Sequence, residues 1–458
     1  MPATPRAAQR RRRSATKPHW LLGLVLGFGC LSCSEELLEP GRIEFVSASG
    51  AEPWLEPGFE VQVTKTDQAG DTQDLLSFDT PASGFSLGRG GVGRVHVRGR
   101  DSQGEVEFSA DSVLIDPRGV AERVLPLPVG QAGSLGLAEP LAPLDAPIQL
   151  SGVVAERYLL SVSAEARGSL YDLGLWRASE AFDLPCPSEA DCRIQTLLVF
   201  DGWIGVFIGP AGASYLDFAT GDQGQLAAPE PGAFGAVAGG RVVSAPSGDQ
   251  YVIGATRPGV ATDRVLRISP DGELSVLKLT SPRQGAAAAY LDGRGVLVVG
   301  GSDTAAGVEQ LKPEATAFDA LSAAPDPTRG AAVFEAADGV FRVGGGQGSA
   351  PAASAKLDLG CSTTCQPEVA GQALGSAESV SLARTEGGEV LLLASSASGE
   401  SQLLRVSSDQ SALQLTPLGS DPARTGGLLQ RLPTGQLAVL GGSSSSGPLL
   451  SLELYFQR

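Results

Sequence analysis

The stretch Gly285-Ala-Ala-Ala-Ala-Tyr-Leu-Asp-Gly-Arg-Gly-Val-Leu-Val-Val-Gly-Gly301 decides the fold of this 458-residue chain. Small residues fill its first half, a glycine-containing turn follows Leu291, and a fully apolar run then ends in a glycine pair. Two short apolar runs joined by such a turn are typical of a buried β-hairpin. The same plan recurs at 329–345 and 424–442, so the stretch is one copy of a repeat.

Weaker copies of this plan extend the repeat over residues 148–458. The residues that close the apolar run in successive copies are Ala164, Gly209, Gly254, Gly300, Gly344, Ala394 and Gly441. They are separated by 44 to 50 residues, a period typical of propeller blades built from four short strands. We therefore predict a seven-bladed β-propeller, with six blades as the alternative because the first copy, around Tyr158, is the most degenerate.

An apolar strand that ends in Gly-Gly resembles the kelch repeat. The three clear pairs are Gly300-Gly301, Gly344-Gly345 and Gly441-Gly442. The tyrosine and tryptophan that usually follow in this family are mostly missing, although 215–218 and 316–319 keep aromatic residues. The resemblance implies a kelch-like propeller. Glycines beside its crowded central channel would allow close backbone approach and positive φ.

Residues 41–130 alternate apolar and polar side chains in short runs. The runs with this period of two are 42–46, 59–64, 93–98, 105–108, 113–115 and 123–127. They predict half-buried strands, and about seven such strands in this length favour an immunoglobulin-like β-sandwich. The predicted fold class is therefore all-β, with a sandwich followed by a propeller.

Residues 131–147, rich in glycine and proline, are predicted to be a linker between the two domains. The C-terminal run 449–458 resembles the third strand of its blade, which leaves that blade without a fourth. We expect the 133–147 segment to supply this strand, because a ring closed in this way leaves no open sheet edge.

The N-terminus has the features of an export signal. Five arginines and Lys17 precede a short apolar run over 20–29, which is typical of a secretory signal peptide over residues 1–29. Cys30 directly follows and resembles the lipidated cysteine of bacterial lipoproteins, with Cys33 as the alternative. This resemblance implies a lipid-anchored tether over residues 30–40, and the absence of Asp after either cysteine implies the outer membrane, with a periplasmic or surface location.

The remaining cysteines form two close pairs, Cys186 with Cys192 and Cys361 with Cys365. In an exported protein such pairs predict local disulfides that close small loops. No histidine lies near either pair, so we expect no zinc site.

Charge excludes one class of partner. Removing residues 1–29 would take six positive charges from the formal net charge of −17 and leave −23. An acidic chain of this kind has no basic footprint for nucleic acid.

Few residues offer catalytic chemistry. After export the chain would keep a single histidine, His96, which we expect to be an ordinary strand residue. We therefore predict no catalytic residues, metal or cofactor, and no enzymatic activity. The predicted function is a membrane-anchored binding scaffold for protein or glycan partners. The alternatives are a carboxylate-based polysaccharide hydrolase or lyase, and an envelope assembly factor.

Overall fold

The computed structural model describes residues 41–48, 59–78, 83–87, 91–117, 120, 123–138, 140–141, 144, 147–254, 260–321, 323–347, 350–361, 365–374, 377–396, 400–409, 412–418 and 424–457. Strands form almost all of the regular structure in these ranges, beside one short helix, α1 (Ala233–Val237). No helix within them combines the length and apolar character needed to cross a membrane. The predictions for the signal peptide, the tether, Cys30 and Cys33 lie outside the described residues.

The N-terminal domain contains seven strands. They are β1 (Arg42–Ser47), β2 (Glu60–Asp67), β3 (Thr72–Phe78), β4 (Gly84–Ser86), β5 (Gly93–Arg100), β6 (Val106–Asp111) and β7 (Val124–Gln131). Strands β4, β1 and β7 form one layer, with β1 parallel to β7, while β3, β2, β5 and β6 form the other. The end of β7 pairs with β6 and joins the layers. Ile43 and Leu127 share one core with Val63, Val97 and Phe108, which makes the domain a β-sandwich.

Two details of this domain differ from the sequence-based expectation. Residues 113–115 form no strand, and Ile115 makes only an isolated bridge to Gly93. Val113 and Ile115 are nevertheless buried, which explains their apolar pattern. Strand β3 escapes prediction because it exposes most of its side chains and therefore shows no alternation of apolar and polar residues.

Seven four-stranded antiparallel sheets form the blades of a propeller. Blade 1 has β9 (Ile148–Val154), β10 (Tyr158–Ser163), β11 (Arg167–Asp172) and a broken outer strand, β12 (Arg177–Ala178) with β13 (Phe182–Asp183). Blade 2 has β14 (Thr196–Phe200), β15 (Ile204–Ile208), β16 (Ala213–Asp217) and β17 (Gln223–Gln225). Blade 3 has β18 (Arg241–Ser244), β19 (Gln250–Ile253), β20 (Thr262–Ile268) and β21 (Leu274–Arg283). Blade 4 has β22 (Ala287–Leu291), β23 (Gly295–Val299), β24 (Val308–Leu311) and β25 (Asp319–Ala320).

The last three blades contain the rest of the chain and one strand from before the ring. Blade 5 has β26 (Ala332–Ala336), β27 (Gly339–Val343), β30 (Ala353–Leu357) and β31 (Glu368–Ala373), with a small hairpin of β28 (Gly346–Gln347) and β29 (Ala350–Pro351). Blade 6 has β32 (Ala377–Arg384), β33 (Val390–Ser396), β34 (Ser401–Asp409) and β35 (Ala412–Leu418). Blade 7 has β36 (Leu428–Arg431), β37 (Leu437–Leu440), β40 (Leu452–Tyr455) and β8 (Leu135–Leu137), with a small hairpin of β38 (Ser443–Ser444) and β39 (Gly447–Pro448).

The seven-blade prediction is confirmed, and the six-blade alternative is wrong because β9 to β13 form a complete first sheet. Six of the seven predicted marker residues directly follow the second strand of a blade, and Ala394 lies inside the second strand of blade 6. The period read from the sequence is therefore the period of the blades.

The two faces of the ring differ in what they carry. Neighbouring blades contact one another through their first strands all round the ring, so these strands line the central channel. Each first strand ends in a turn to the second, which places all seven turns on one face, here the hairpin face. The glycine pairs follow the second strands and lie on the opposite face, here the glycine face.

The ring is closed by β8, which precedes blade 1 in the chain. It pairs antiparallel with β40, with Leu135 opposite Tyr455 and Leu137 opposite Glu453. The amide of Leu137 also donates to the carbonyl of Ala48, just after β1 (2.7 Å). One short strand thus connects the last blade to the N-terminal domain.

Apolar packing also joins the domains. A single buried cluster contains Ala48 and Val113 of the N-terminal domain, Tyr171 and Trp176 of blade 1, and Phe456 after β40. Residues Pro40–Arg458 accordingly form one compact unit.

Both predicted cysteine pairs are disulfides, Cys186–Cys192 and Cys361–Cys365. The first follows the outer strand of blade 1, whereas the second lies between the third and fourth strands of blade 5. The two loops therefore occupy different positions in their blades. Disulfides persist in oxidising compartments, so these two indicate a location outside the cytoplasm.

Candidate functional site

The N-terminal domain covers part of the hairpin face. The hydroxyl of Ser109 donates to the carbonyl of Gln457 (2.9 Å), and the Gln457 side chain accepts from the amide of Gly387 in the first turn of blade 6 (3.1 Å). The Phe456 ring packs so tightly on Gly130 that a Cβ there would lie 2.3 Å from it. The domain therefore lies over blades 6, 7 and 1.

A cavity of about 470 Å³, here the interdomain pocket, lies where the two domains meet. Its lining residues are Thr66, Asp67, Gln68, Ala69, Gly70, Arg94, His96, Leu114, Glu156 and Glu386. The turn between β2 and β3 and the outer side of β5 form one wall, and the first turns of blades 1 and 6 form the other. Seven of the ten lining residues are polar, and both domains contribute to the lining.

His96 lines this pocket and is held in place by a buried acid. Its Nδ1 lies 2.8 Å from Oδ1 of Asp111, and the same oxygen accepts from Nη2 of Arg98 at 2.8 Å. The side chain of Asp111 is fully buried, whereas that of His96 is 17% exposed. This contact holds the ring in one orientation, with Nε2 on the side away from Asp111. The pairing with Asp111 therefore fixes the position of His96 on β5.

Two carboxylates face His96 across the pocket from different blades. Glu156 lies in the first turn of blade 1 and Glu386 in that of blade 6, and both are exposed. Among the described residues neither has an ion-pair partner. Asp67, in the opposite wall, accepts from the amides of Ala69 and Asp71 and shapes its own turn. The lining therefore combines two exposed carboxylates with an imidazole held by Asp111 and with the guanidinium of Arg94.

A second recess of about 340 Å³, here the mouth groove, lies at the ends of the first strands of blades 4, 5 and 6. Its polar and aromatic lining groups are Tyr290, Asp292, Phe334, Glu335 and Arg384. The guanidinium of Arg384 donates to the carbonyl of Glu335 and links blades 5 and 6 there. Strand β32 ends with Arg384 in the groove, and Glu386 in the interdomain pocket follows two residues later, so the two recesses are neighbours.

The central channel is crossed by one side chain. Arg241 begins β18 in blade 3, and its Nη2 donates to the carbonyls of Ala331 in blade 5 (3.2 Å) and Val380 in blade 6 (2.8 Å). A ligand on the hairpin face would therefore meet Arg241 before it could pass to the other face.

A third cavity, of about 250 Å³, is mainly apolar and lies between the N-terminal domain and blade 1. Trp176, which is 4% exposed, forms part of its wall. Arg157 at its edge makes two hydrogen bonds to Asp172, at 3.0 and 2.8 Å, and these bonds raise the pKa of the guanidinium. Because Arg157 is already paired, this cavity offers packing space rather than a free charged group.

The other predicted site residues lie apart from these recesses. The glycine pairs at 300–301, 344–345 and 441–442 are on the glycine face. Asp358 lies within 4.8 Å of the sulfurs of Cys361 and Cys365, but a disulfide leaves no thiolate for a metal. Two tryptophans lie within the described residues: Trp176 is buried in the wall of the apolar cavity, and Trp203 is 43% exposed in the first turn of blade 2.

The acids of the pocket belong to a pattern that is visible in the sequence but was not part of the strand prediction. An acidic residue stands in or beside the first turn of blades 1 to 6. These residues are Glu156, Asp201, Asp249, Asp292, Asp338 and Glu386. Once the blades are aligned, the recurrence places negative charge on the hairpin face, although it does not show which acids the N-terminal domain approaches.

Fold and recesses together define an all-β protein with a seven-bladed propeller and a β-sandwich packed on one face. No family model and no curated protein matches the chain. Among solved structures it is similar to two structures of the extracellular domain of one B. thetaiotaomicron protein, which is described as a putative hybrid two-component system in one and as a putative one-component system in the other. Their identities to this chain are 12% and 13%, and both TM-scores are 0.45. The matches cover 70% of this chain but only 39% and 40% of those chains.

Proposed function

We propose that this protein is a kelch-like binding scaffold of the bacterial envelope, which holds a protein or glycan partner on its hairpin face. The interdomain pocket is the observation that carries the proposal. Ligand sites occur preferentially where domains meet and combine a few convergent polar groups. Here Glu156, Glu386 and His96 converge from three distant parts of the chain. The neighbouring mouth groove would extend the contact to a larger partner.

Anchoring through the N-terminus completes the proposal. A lipid on Cys30, or on Cys33, would hold the propeller at the outer membrane. We expect palmitate to label the protein in cells, and Cys30→Ala to abolish the label while Cys33→Ala keeps it. Loss of the label only in Cys33→Ala would move the anchor to the second cysteine, and an unlabelled wild type would contradict anchoring altogether.

The binding proposal is tested by capture with matched acid variants. Glu156→Gln/Glu386→Gln removes both unpaired charges of the pocket. Glu189→Gln/Glu368→Gln removes two exposed charges outside it and serves as the control. After crosslinking to envelope extracts and on an array of bacterial glycans, we expect the wild type and the control to retain the same partner. The pocket variant should lose at least about tenfold in affinity, as removal of charge-assisted hydrogen bonds predicts. Equal retention by all three proteins would refute binding at this pocket.

One observation favours an enzymatic alternative. His96 backed by Asp111, with Glu156 and Glu386 nearby, could move protons in a hydrolase or lyase acting on polysaccharide. In that case His96→Gln, which keeps a side chain of similar size, would lower kcat by about a hundredfold or more. A scaffold would instead show no turnover of any glycan in the wild type.

A further inference from the structure

We infer that the glycine-face end of the central channel is a binding site for a small oxyanion, a carboxylate or phosphate group, held by Arg241. This site lies at the opposite end of the channel from the proposed partner site and does not depend on it. The buried arginines of the ring show how an enclosed positive charge is normally neutralised in this protein.

Three arginines of the ring are buried, and each has a carboxylate partner. The pairs are Arg283 with Glu309, Arg342 with Asp326, and Arg424 with Glu453. Such pairing is the rule, because an enclosed charge without a counter-ion is strongly unfavourable.

Arg241 departs from this pattern. It reaches from blade 3 to carbonyls of blades 5 and 6, with distances from Nη2 of 2.8 Å to Val380, 3.2 Å to Ala331 and 3.5 Å to Gly330. Within the described ranges no carboxylate lies within ion-pair distance of its guanidinium. Desolvation in the channel lowers the pKa of Arg241, although the residue keeps part of its surface exposed.

The geometry leaves part of this guanidinium for a ligand. The three carbonyls are all contacted by Nη2, and a guanidinium carries five N–H donors. The planar arrangement of these donors matches the oxygens of carboxylate and phosphate, which makes arginine the usual residue for both groups. An oxyanion on the free side would supply the missing counter-charge.

The local charge also favours this end of the channel. Exposed Arg329 directly precedes Gly330, whose carbonyl accepts from Arg241, and brings a second positive charge to the same end. The acids of the first turns lie on the other face. In a chain of net charge −17, these two arginines favour an anion at this end of the channel.

The test measures anion binding by the intact protein. Acetate, phosphate and sulfate are titrated by calorimetry at constant ionic strength, with chloride as the replaced ion. We expect saturable binding of at least one oxyanion, a rise in Kd of about tenfold or more in Arg241→Gln, and no change in Arg294→Gln, an exposed arginine on the hairpin face. Preference for acetate would indicate a carboxylate ligand, and preference for phosphate or sulfate a tetrahedral one.

Absence of saturable binding by all three anions, or an unchanged Kd in Arg241→Gln, would overturn the inference. If Arg241→Gln fails to fold, Arg329→Glu decides the question, because it reverses the neighbouring charge without touching the carbonyl contacts of Arg241. A Kd raised several-fold in Arg329→Glu supports the site, and a Kd equal to that of the wild type rejects it.

Discussion

At the scale of single residues, the two glycines of each pair meet different parts of the ring. A Cβ on the first glycine would strike the next blade or the segment that leads into it, at 2.4 Å from the carbonyl of Thr328 for Gly300 and 2.5 Å from a methyl group of Val380 for Gly344. A Cβ on the second would strike the segment before its own first strand, at 2.7 Å from the carbonyl of Gln284 for Gly301. Both glycines are needed, because the first allows close approach to the next blade and the second allows close approach to the segment before the first strand of its own blade.

We expect two glycine-to-alanine substitutions to lower the free energy of unfolding by different amounts. Gly300 (φ 78°) and Gly293 (φ 66°) share the left-handed conformation, but nothing lies within 4 Å of a Cβ at Gly293. Gly293→Ala should cost only the backbone strain of about 1–2 kcal/mol. Gly300→Ala should cost about 1–3 kcal/mol more, because a backbone carbonyl must move. Urea unfolding of both variants measures the difference, and equal losses would show that close approach to Thr328 is unimportant.

Tyr455 gives the protein a specific sensitivity to alkaline pH. Its hydroxyl lies 3.2 Å from Glu389, and burial, followed by the negative charge of Glu389, raises the pKa of Tyr455 to about 12. An unfolded tyrosine titrates near about 10. Its contribution to stability is therefore complete below pH ~10 and is lost as the pH rises towards ~12, because only the unfolded chain releases the proton.

Replacing this tyrosine should remove that sensitivity. We expect the free energy of unfolding of Tyr455→Phe to fall less steeply than that of the wild type between pH ~10 and ~12. Parallel curves from denaturant titrations over this range would show that Tyr455 does not carry the effect.

At the scale of the blade, blades 4 and 7 are held by the same buried ion pair. Arg283 lies two residues before Gly285, and its Nη2 is 2.8 Å from Oε1 of Glu309 on the third strand. Its Nη1 donates to the carbonyl of Gly300 at 2.6 Å. Arg424 repeats this arrangement in blade 7 with Glu453 and with the carbonyl of Gly441. The pair therefore ties the segment before the first strand to the glycine pair and the third strand.

Blade 5 also contains a buried ion pair, but other residues form it. Thr328 stands where the arginine is expected, and Ala355 lies at the position of the glutamate. Arg342, from the second strand, donates instead to Asp326 and Thr328. In blade 5 the arginine therefore lies on the second strand, and it still ties the segment before the first strand to the rest of the sheet.

Removing one partner of the Arg283–Glu309 pair should lower the free energy of unfolding much more than replacing both partners by apolar residues. Arg283→Met leaves Glu309 without its counter-ion and should destabilise the protein by about 3–5 kcal/mol. Arg283→Met/Glu309→Leu should cost much less, since no buried charge remains. Lys312→Met, which breaks an exposed pair with Asp319, is the control and should cost less than about 1 kcal/mol. A double variant as unstable as the single one in urea would contradict the argument.

At the scale of the whole molecule, the sequence predicted the ring better than the site. The glycine pairs and apolar runs recur because every blade meets the same close approaches, so the blade period can be read from one chain. The interdomain pocket could not be read, because Glu156, Glu386 and His96 meet only through the packing of one domain on the other. The role of Arg241 was also hidden, since its partners are main-chain carbonyls, which leave no mark in a sequence.

The closing strand makes a separate prediction. Deleting residues 133–138 removes β8, exposes the edge of β40 and breaks the hydrogen bond from Leu137 to Ala48. We expect the melting temperature to fall by many degrees and the protein to associate through the exposed strand edge. Deleting the exposed loop residues 445–446, between β38 and β39, is the control and should change little. A melting temperature unaffected by the loss of β8 would exclude closure by this strand.

Differential scanning calorimetry of the purified protein tests whether the sandwich and the propeller unfold as one body. The pocket on their boundary requires that they do. Strand β8 and the shared apolar cluster predict one cooperative transition, with the calorimetric enthalpy equal to the van't Hoff enthalpy. Two separate transitions, one of them of the size expected for residues 41–130 alone, would contradict the claim and remove the basis for a pocket made by both domains.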